Sequence, residues 1–187
     1  MDDDWIEIVG VSDRGQFDVT NHQALSGQNL SFGEGEMKIT RVLEPAYGID
    51  RVIMSLLVSS YNKRESGYKV LSFPPEVAPY SVAVLPLQKK DGLAEKALDL
   101  FNKLRVHEPL ALFDDSGSIG RRYSRQDEIG TPYCITVDYD TMTDNVVTIR
   151  DRDSQKQISK IPIDAITAPG RFIRNPILKR FEENNSP

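Results

Sequence analysis

The sequence predicts an α/β protein whose main body is a mixed sheet flanked by helices, preceded by a shorter antiparallel piece with one apolar helix. Three observations carry this reading. From residue 80 onward, apolar segments of strand length alternate with segments of helical periodicity, and the series closes on two alternating segments joined by polar residues. Ahead of it, Pro74, Pro75 and Pro79 stiffen an extended connection. Before those prolines, the apolar helix pattern has too few strands around it to be covered, so the N-terminal piece reads as a cut part of something larger.

Each element follows from local pattern. Residues 5–11, WIEIVGV, alternate as a strand does. The stretch 12–30 is polar and rich in turn formers, and Gly33 and Gly35 in FGEGE mark a loop or tight turn. Residues 37–45, MKITRVLEP, read as a second strand stopped by Pro45. A helix follows, with Ile49, Val52, Ile53, Leu56, Leu57 and Tyr61 at helical spacing. Gly48, just ahead of it, lets the backbone at the helix start approach a neighbour closely. Residues 62–81 form a polar, then proline-rich break, and a domain boundary is expected near residue 72. Residues 81–87, SVAVLPL, are a strand. Asp91 is the expected N-cap of a helix that lines Leu93, Ala97, Leu100, Phe101 and Leu104 along one face. Residues 109–114 are a short strand, and 118–130 a helix capped by Ser118 and stopped by Gly130. Residues 131–139 are a strand. NVVTIRDRD and KQISKIPI form an antiparallel hairpin with Asp151, Arg152 and Asp153 at its turn. IDAIT is a short helix, and the residues after it a weakly structured tail. The right-handed crossover rule sets 82–87, 110–113 and 133–138 side by side as parallel strands, with the hairpin extending one edge.

Composition narrows the function. Hydrophobic residues at 39% and charged residues at 27% suit an ordinary globular protein. No apolar run approaches the ~20 residues of a membrane span. The start, MDDDWIEIVG, is acidic where a secretory leader is basic, so a cytoplasmic location without a membrane partner is expected. The net charge of -5 argues against broad wrapping of nucleic acid and leaves room for one local basic face. The single cysteine, Cys134, lies in an apolar strand pattern and is expected to be a buried structural thiol. His22 and His107 stand isolated, with no metal-ligand spacing, so no metal site is expected. Ser116 and Ser118 sit outside any GxSxG pattern, and there is no Walker A sequence.

Two places concentrate chemistry. In FDDSGSIGRRYSRQDEIGTPYCITVDYDT, residues 113–141, Arg121 and Arg125 share a helical face and Arg122 lies beside Arg125. Three fixed guanidinium forks suit phosphates, and Tyr123 can pack in a core or stack on a base. The competing reading pairs these arginines with Asp114, Asp115, Asp127 and Glu128. Arg150 and Arg152 likewise either reach a nucleic acid from a sheet edge or belong to a solvated turn. In the N-terminal piece, Glu7, Glu44 and Arg51 are charges in apolar surroundings, which either pair with one another or line a ligand pocket. Two carboxylates suit a small ammonium group, and one arginine suits a triphosphate.

These segments carry a resemblance. EIVGVSDRGQFD, EPAYGIDR, VAVLPLQKKDGL, the 113–141 segment and VTIRDRDS occur in the same order in glycyl-tRNA synthetases, most closely the archaeal and eukaryotic type, and the likeness runs over nearly the whole chain. It implies a class IIa anticodon-binding domain at 73–170 and a tail at 171–187. Residues 1–72 would be a remnant of the antiparallel class II catalytic domain, with motif 3 at EPAYGIDR, residues 44–51. It implies a glycine–tRNA ligase as the full-length enzyme, a cytoplasmic homodimer using ATP and Mg²⁺, with tRNA(Gly), glycine and ATP as partners. By the same resemblance Glu7 and Glu44 bind glycine and Arg51 contacts the ATP phosphates in catalysis. The tRNA-binding residues would be Arg121, Arg122, Arg125 and Arg150.

Two departures qualify it. Ala46 stands in the glycine site where the family has serine, which removes a hydroxyl. Motifs 1 and 2 are not among the 187 residues. The chain alone is therefore expected to be inactive in aminoacylation and to bind no cofactor, because adenylate formation needs a pocket that orients both substrates. An alternative is a non-enzymatic anticodon-binding-like accessory or nucleic-acid-binding subunit, of the kind found with mitochondrial DNA polymerase. Ala46 favours that alternative, and the retained Glu7, Glu44 and Arg51 oppose it. A third reading is a two-component enzyme whose second polypeptide docks on the apolar face of 49–61.

Overall fold

The computed structural model describes residues 5–33, 35, 41–169, 172 and 178. The expected strand start at 37–40 and most of the tail lie outside them. The chain divides into two compact units, Met1–Val58 and Ser59–Pro187.

In the first unit β1 (Val9–Gly15) pairs antiparallel with β2 (Val42–Tyr47). The first strand thus begins at Val9 rather than at residue 5. Its register sets Gly10 opposite Ala46 and Ser12 opposite Glu44, so these four share one face of the ribbon. A helix, α1 (Phe17–Ser26), stands where a loop is expected. No amphipathic pattern announces it, because none of its residues is buried. Local bonds hold it instead: Arg14 grips both oxygens of Asp18, the Asn21 amide donates to the Phe17 carbonyl, and Gly27 closes the helix in the left-handed conformation. The apolar helix forms as α2 (Ile49–Ser60), with Ile49, Ile53, Met54, Leu57 and Val58 exposed. Among the described residues before Ser60, none is buried.

In the second unit β3 (Tyr61–Lys63) pairs antiparallel with β4 (Lys69–Leu71), a hairpin within the expected break. A five-stranded sheet follows, built from β5 (Val82–Pro86), β6 (Ala111–Phe113), β7 (Tyr133–Val137), β8 (Val146–Asp151) and β9 (Gln157–Pro162). The order is β6-β5-β7-β8-β9; the first three are parallel and the β8–β9 hairpin continues antiparallel from β7. This is the arrangement the crossover rule predicts. The crossovers leave β5 in one direction and return in the other, so their helices cover opposite faces. On one face α3 (Leu93–Arg105) buries Leu93, Ala97, Leu100 and Leu104 against Val82, Val84, Ile135 and Ile149. On the other, α4 (Ile119–Ile129) brings Ile119 and Tyr123 onto Ala83, Leu85 and Cys134. All of β5 is buried, as its unbroken apolar run requires of a strand covered on both faces. Helix α6 (Ile163–Thr167) closes the core, and Phe172 and Leu178 are buried in it.

The caps of α4 form as expected, Ser118 accepting from the Arg121 amide and Gly130 turning left-handed at φ 85°. A Cβ on Gly130 would lie 2.4 Å from the Phe73 ring and 2.9 Å from the Leu71 carbonyl oxygen, so only glycine fits there. Asp91 does not cap α3. Gly92 occupies that position, and Asp91 itself is left-handed at φ 61°. One helix, α5 (Tyr139–Asp144), replaces an expected strand end, because Asp138 and Thr141 form a reciprocal capping box.

Candidate functional site

The arginines of the central segment divide by direction. Arg122 is 1% exposed, and its guanidinium donates to the carbonyls of Pro86, Asp115 (2.8 Å) and Gly117 (2.5 Å). It ties the loop after β5 to the loop after β6. Arg150 is buried, bidentate on Asp127 at 2.8 and 3.0 Å, with its guanidinium 4.8 Å from the Tyr123 ring centre. Its strand, β8, is interior to the sheet, so Arg150 has no edge from which to reach a nucleic acid. Arg152, only 2% exposed, donates to the carbonyls of Gly130 and Phe73 and to Asp153, which corrects the expectation of a solvated turn. Arg125 is bidentate on Asp114 and also donates to the Ser116 carbonyl. Arg121 is exposed and has no side-chain partner among the described residues. Of the four arginines singled out as RNA contacts, Arg122 and Arg150 therefore face inward, Arg125 is held at the surface by Asp114, and Arg121 faces solvent.

The carboxyl ends of β5, β6 and β7 open together. Ligands of open α/β sheets sit at this end, where crossovers diverge to opposite faces. Lys89, after β5, pairs with Asp115, after β6, at 3.2 Å, and Lys90 is exposed beside it. The Tyr139 hydroxyl, after β7, donates to Asp91 Oδ2 at 2.6 Å, and the Gln88 amide bonds both that oxygen, at 3.4 Å, and the hydroxyl. The hydrogen bond to Asp91 raises the Tyr139 pKa, so the phenol stays a donor. Tyr139 is 48% exposed. The cluster is not legible in the sequence, where Tyr139 falls at an expected strand end and Asp91 at an expected helix cap.

On the ribbon of the first unit, Glu7 lies over Gly10, where a Cβ would be 3.1 Å from Glu7 Oε1. Ala46 stands opposite Gly10 and Glu44 two residues before it on the same face. Glu44 pairs with Arg14 at 3.1 Å. Arg51 donates to the Glu7 backbone carbonyl, so the structure joins Arg51 to Glu7 through the main chain, without a carboxylate–guanidinium pair between them. Gly48 eases this approach, its amide donating to the Ile8 carbonyl at 2.9 Å, where a Cβ would lie 3.3 Å from Arg51 Cδ. A cleft of about 290 Å³ beside Arg51 is lined by Ile6, Ile8, Asp50 and Met54. Asp13 is gripped by Arg41, which holds its carboxyl down to about 2. Among the described residues no group of three or more His, Cys, Asp or Glu side chains is placed to hold a metal ion.

Residues 81–168 match the family model described as anticodon binding domain. That segment is similar to the anticodon-binding domain family. The matched segment contains the whole five-stranded sheet and the cluster at its carboxyl end. The chain is 46% identical over 169 residues to glycine–tRNA ligase of Clostridium kluyveri, covering 87% of this chain and 36% of that one. It is 48% identical over 159 residues to glycine–tRNA ligase of Malacoplasma penetrans, covering 81% and 34%. The chain therefore spans about a third of the length of the curated relatives it matches. Among solved structures it is similar to prolyl-tRNA synthetase from Cryptosporidium parvum complexed with L-proline and AMP, with a TM-score of 0.56 and 18% identity over 95% of this chain and 36% of that one. The prolyl-tRNA synthetase of Giardia lamblia gives a TM-score of 0.57 over 87% and 32%. At that identity the likeness concerns the fold alone. No helix among the described residues is long and apolar enough to cross a membrane.

Proposed function

We propose that this chain is the C-terminal part of a glycine–tRNA ligase and that its own work is to recognise the anticodon of tRNA(Gly). The observation that carries the reading is the union, in one chain 46% identical to a glycine–tRNA ligase, of an anticodon-binding domain with a ribbon face bearing Glu7, Glu44 and Ala46. The full-length enzyme, a cytoplasmic homodimer using ATP and Mg²⁺, would join glycine to tRNA(Gly) and release AMP and diphosphate. In this reading residues 1–72 belong to the catalytic domain, 73–170 bind the anticodon and 171–187 are a tail.

Glu7 and Glu44 would hold the glycine ammonium, and Ala46, facing Gly10, would leave room for little beyond hydrogen as a side chain. The outward part of the Arg51 guanidinium would meet a phosphate when ATP binds, the nucleotide supplying the activated phosphoryl bond. In this reading the chain alone does not activate glycine, because adenylate formation needs a water-excluded pocket that orients both substrates. On the anticodon side Arg121, Lys89 and Lys90 would meet the RNA backbone, while Arg122, Arg125 and Arg150 hold the loops and helix that carry them.

Titration of the purified chain with a tRNA(Gly) transcript, against one with a changed anticodon, tests the reading. Preference for the glycine anticodon supports it, and equal affinity sinks it. The accessory-subunit reading is favoured by one observation, the serine hydroxyl missing at Ala46, and predicts RNA binding without anticodon preference.

A further inference from the structure

The cluster at the carboxyl end of β5 and β7 has the parts of a base-reading pocket. Pro86 and Val137 are register partners, and the Leu87 amide donates to the Val137 carbonyl at 2.8 Å, so the loops after both strands start side by side. Tyr139 opens α5, which its capping box fixes, and Met142 of the same helix packs at Gly92. The tyrosine ring is thus exposed on a rigid mount, with its hydroxyl bound to Asp91 Oδ2. Exposed rings so held stack on unpaired bases. Asp91 is exposed, and its Oδ1 has no hydrogen-bond partner among the described residues. The neighbouring acids do not crowd it, for Asp138 is turned into its own helix cap and Asp115 is paired with Lys89.

We infer that Asp91 and Tyr139 form the pocket for one of the two cytosines of the glycine anticodon, the ring stacking on the base and Asp91 Oδ1 accepting from its exocyclic amine. This rests on the proposed anticodon recognition. Glycine codons begin with two guanines, so the middle and third anticodon positions are both cytosine. A carboxylate accepts from the N4 amine of cytosine. Uracil presents a carbonyl oxygen at that place, and two acceptors repel. Guanine presents two donors on its pairing edge and calls for both carboxylate oxygens, of which Oδ2 is already taken.

The test is equilibrium binding of the whole chain to anticodon stem–loop RNAs carrying the glycine anticodon, or uracil or guanine at the middle or third position. The wild type is compared with Asp91→Asn, Tyr139→Phe and Tyr139→Ala. Asparagine tolerates the left-handed backbone of residue 91, so the first variant keeps the fold, which its melting temperature checks. We expect the wild type to prefer cytosine over uracil by about tenfold or more at each of the two positions. Asp91→Asn abolishes or reverses that preference at one position only, because its amide can donate to the uracil carbonyl. Tyr139→Ala weakens every loop by about tenfold, and Tyr139→Phe retains the stacking. Wild-type discrimination that survives unchanged in Asp91→Asn overturns this assignment and leaves anticodon recognition standing. A wild type with no preference overturns anticodon recognition, and this assignment with it.

Discussion

Arg121 and Arg122 are neighbours in sequence with opposite fates, and each fate predicts a different outcome. Arg122→Ala removes the guanidinium that links the carbonyls of Pro86, Asp115 and Gly117, and should cost about 2–3 kcal/mol in urea unfolding. Arg121→Ala should leave stability within about 0.5 kcal/mol, weaken RNA binding and lower its salt slope by about 1. Cys134 gives a pH prediction. Burial pushes its thiol up to about 12, from 9.0 when solvated. Above pH 9 the unfolded chain loses this proton first and so binds fewer protons than the native state, which makes stability fall as pH rises toward 12. At pH 8 the native thiol should resist an aromatic disulfide reagent and react only on unfolding. The sequence makes the positions of these side chains legible, and Cys134 lies buried as its apolar strand pattern implies. It does not make arginine direction legible, because Arg150 finds its partner, Asp127, on a different element and Arg122 finds backbone carbonyls.

At the scale of elements, one carboxylate joins three of them. Asp127 on α4 lies between Arg150 of β8, at 2.8 Å, and Arg64 beside the β3–β4 hairpin, at 3.1 Å. Asp127→Ala would strand two guanidinium groups that are mostly buried, at a cost of about 3–5 kcal/mol, measurable as a lowered urea midpoint. Gly130→Ala meets the Phe73 ring and a left-handed backbone together, and should cost about 2–4 kcal/mol. The amphipathic helices α3 and α4 and the strands of the large sheet are readable in advance because burial imprints a period on their sequence. Helix α1, which buries nothing, carries no such imprint. Helix α5 is short, and its only sequence mark is the capping pair Asp138 and Thr141. The hairpin at 61–71 is marked only by turn residues in a polar stretch, so it reads as an open break until its packing on α4 is seen.

At the scale of the molecule, the two units differ in what they bury. The second has a sheet with both faces covered, while the described part of the first has no buried residue before Ser60. No glycine-dependent exchange between ATP and pyrophosphate is expected of the chain alone, because adenylate formation needs a pocket that orients both substrates. The candidate glycine site was legible only as a set of charges, since the ribbon register that puts Glu44 and Ala46 on one face depends on a pairing between distant segments. The central claim is that the chain reads the anticodon of tRNA(Gly) despite a net charge of -5. The most direct measurement is the affinity of the purified chain for a tRNA(Gly) transcript and for the same transcript with a changed anticodon, across a salt series. A preference of about tenfold or more for the glycine anticodon is expected, persisting as salt weakens both affinities. Equal affinities that vanish together as salt rises would contradict it.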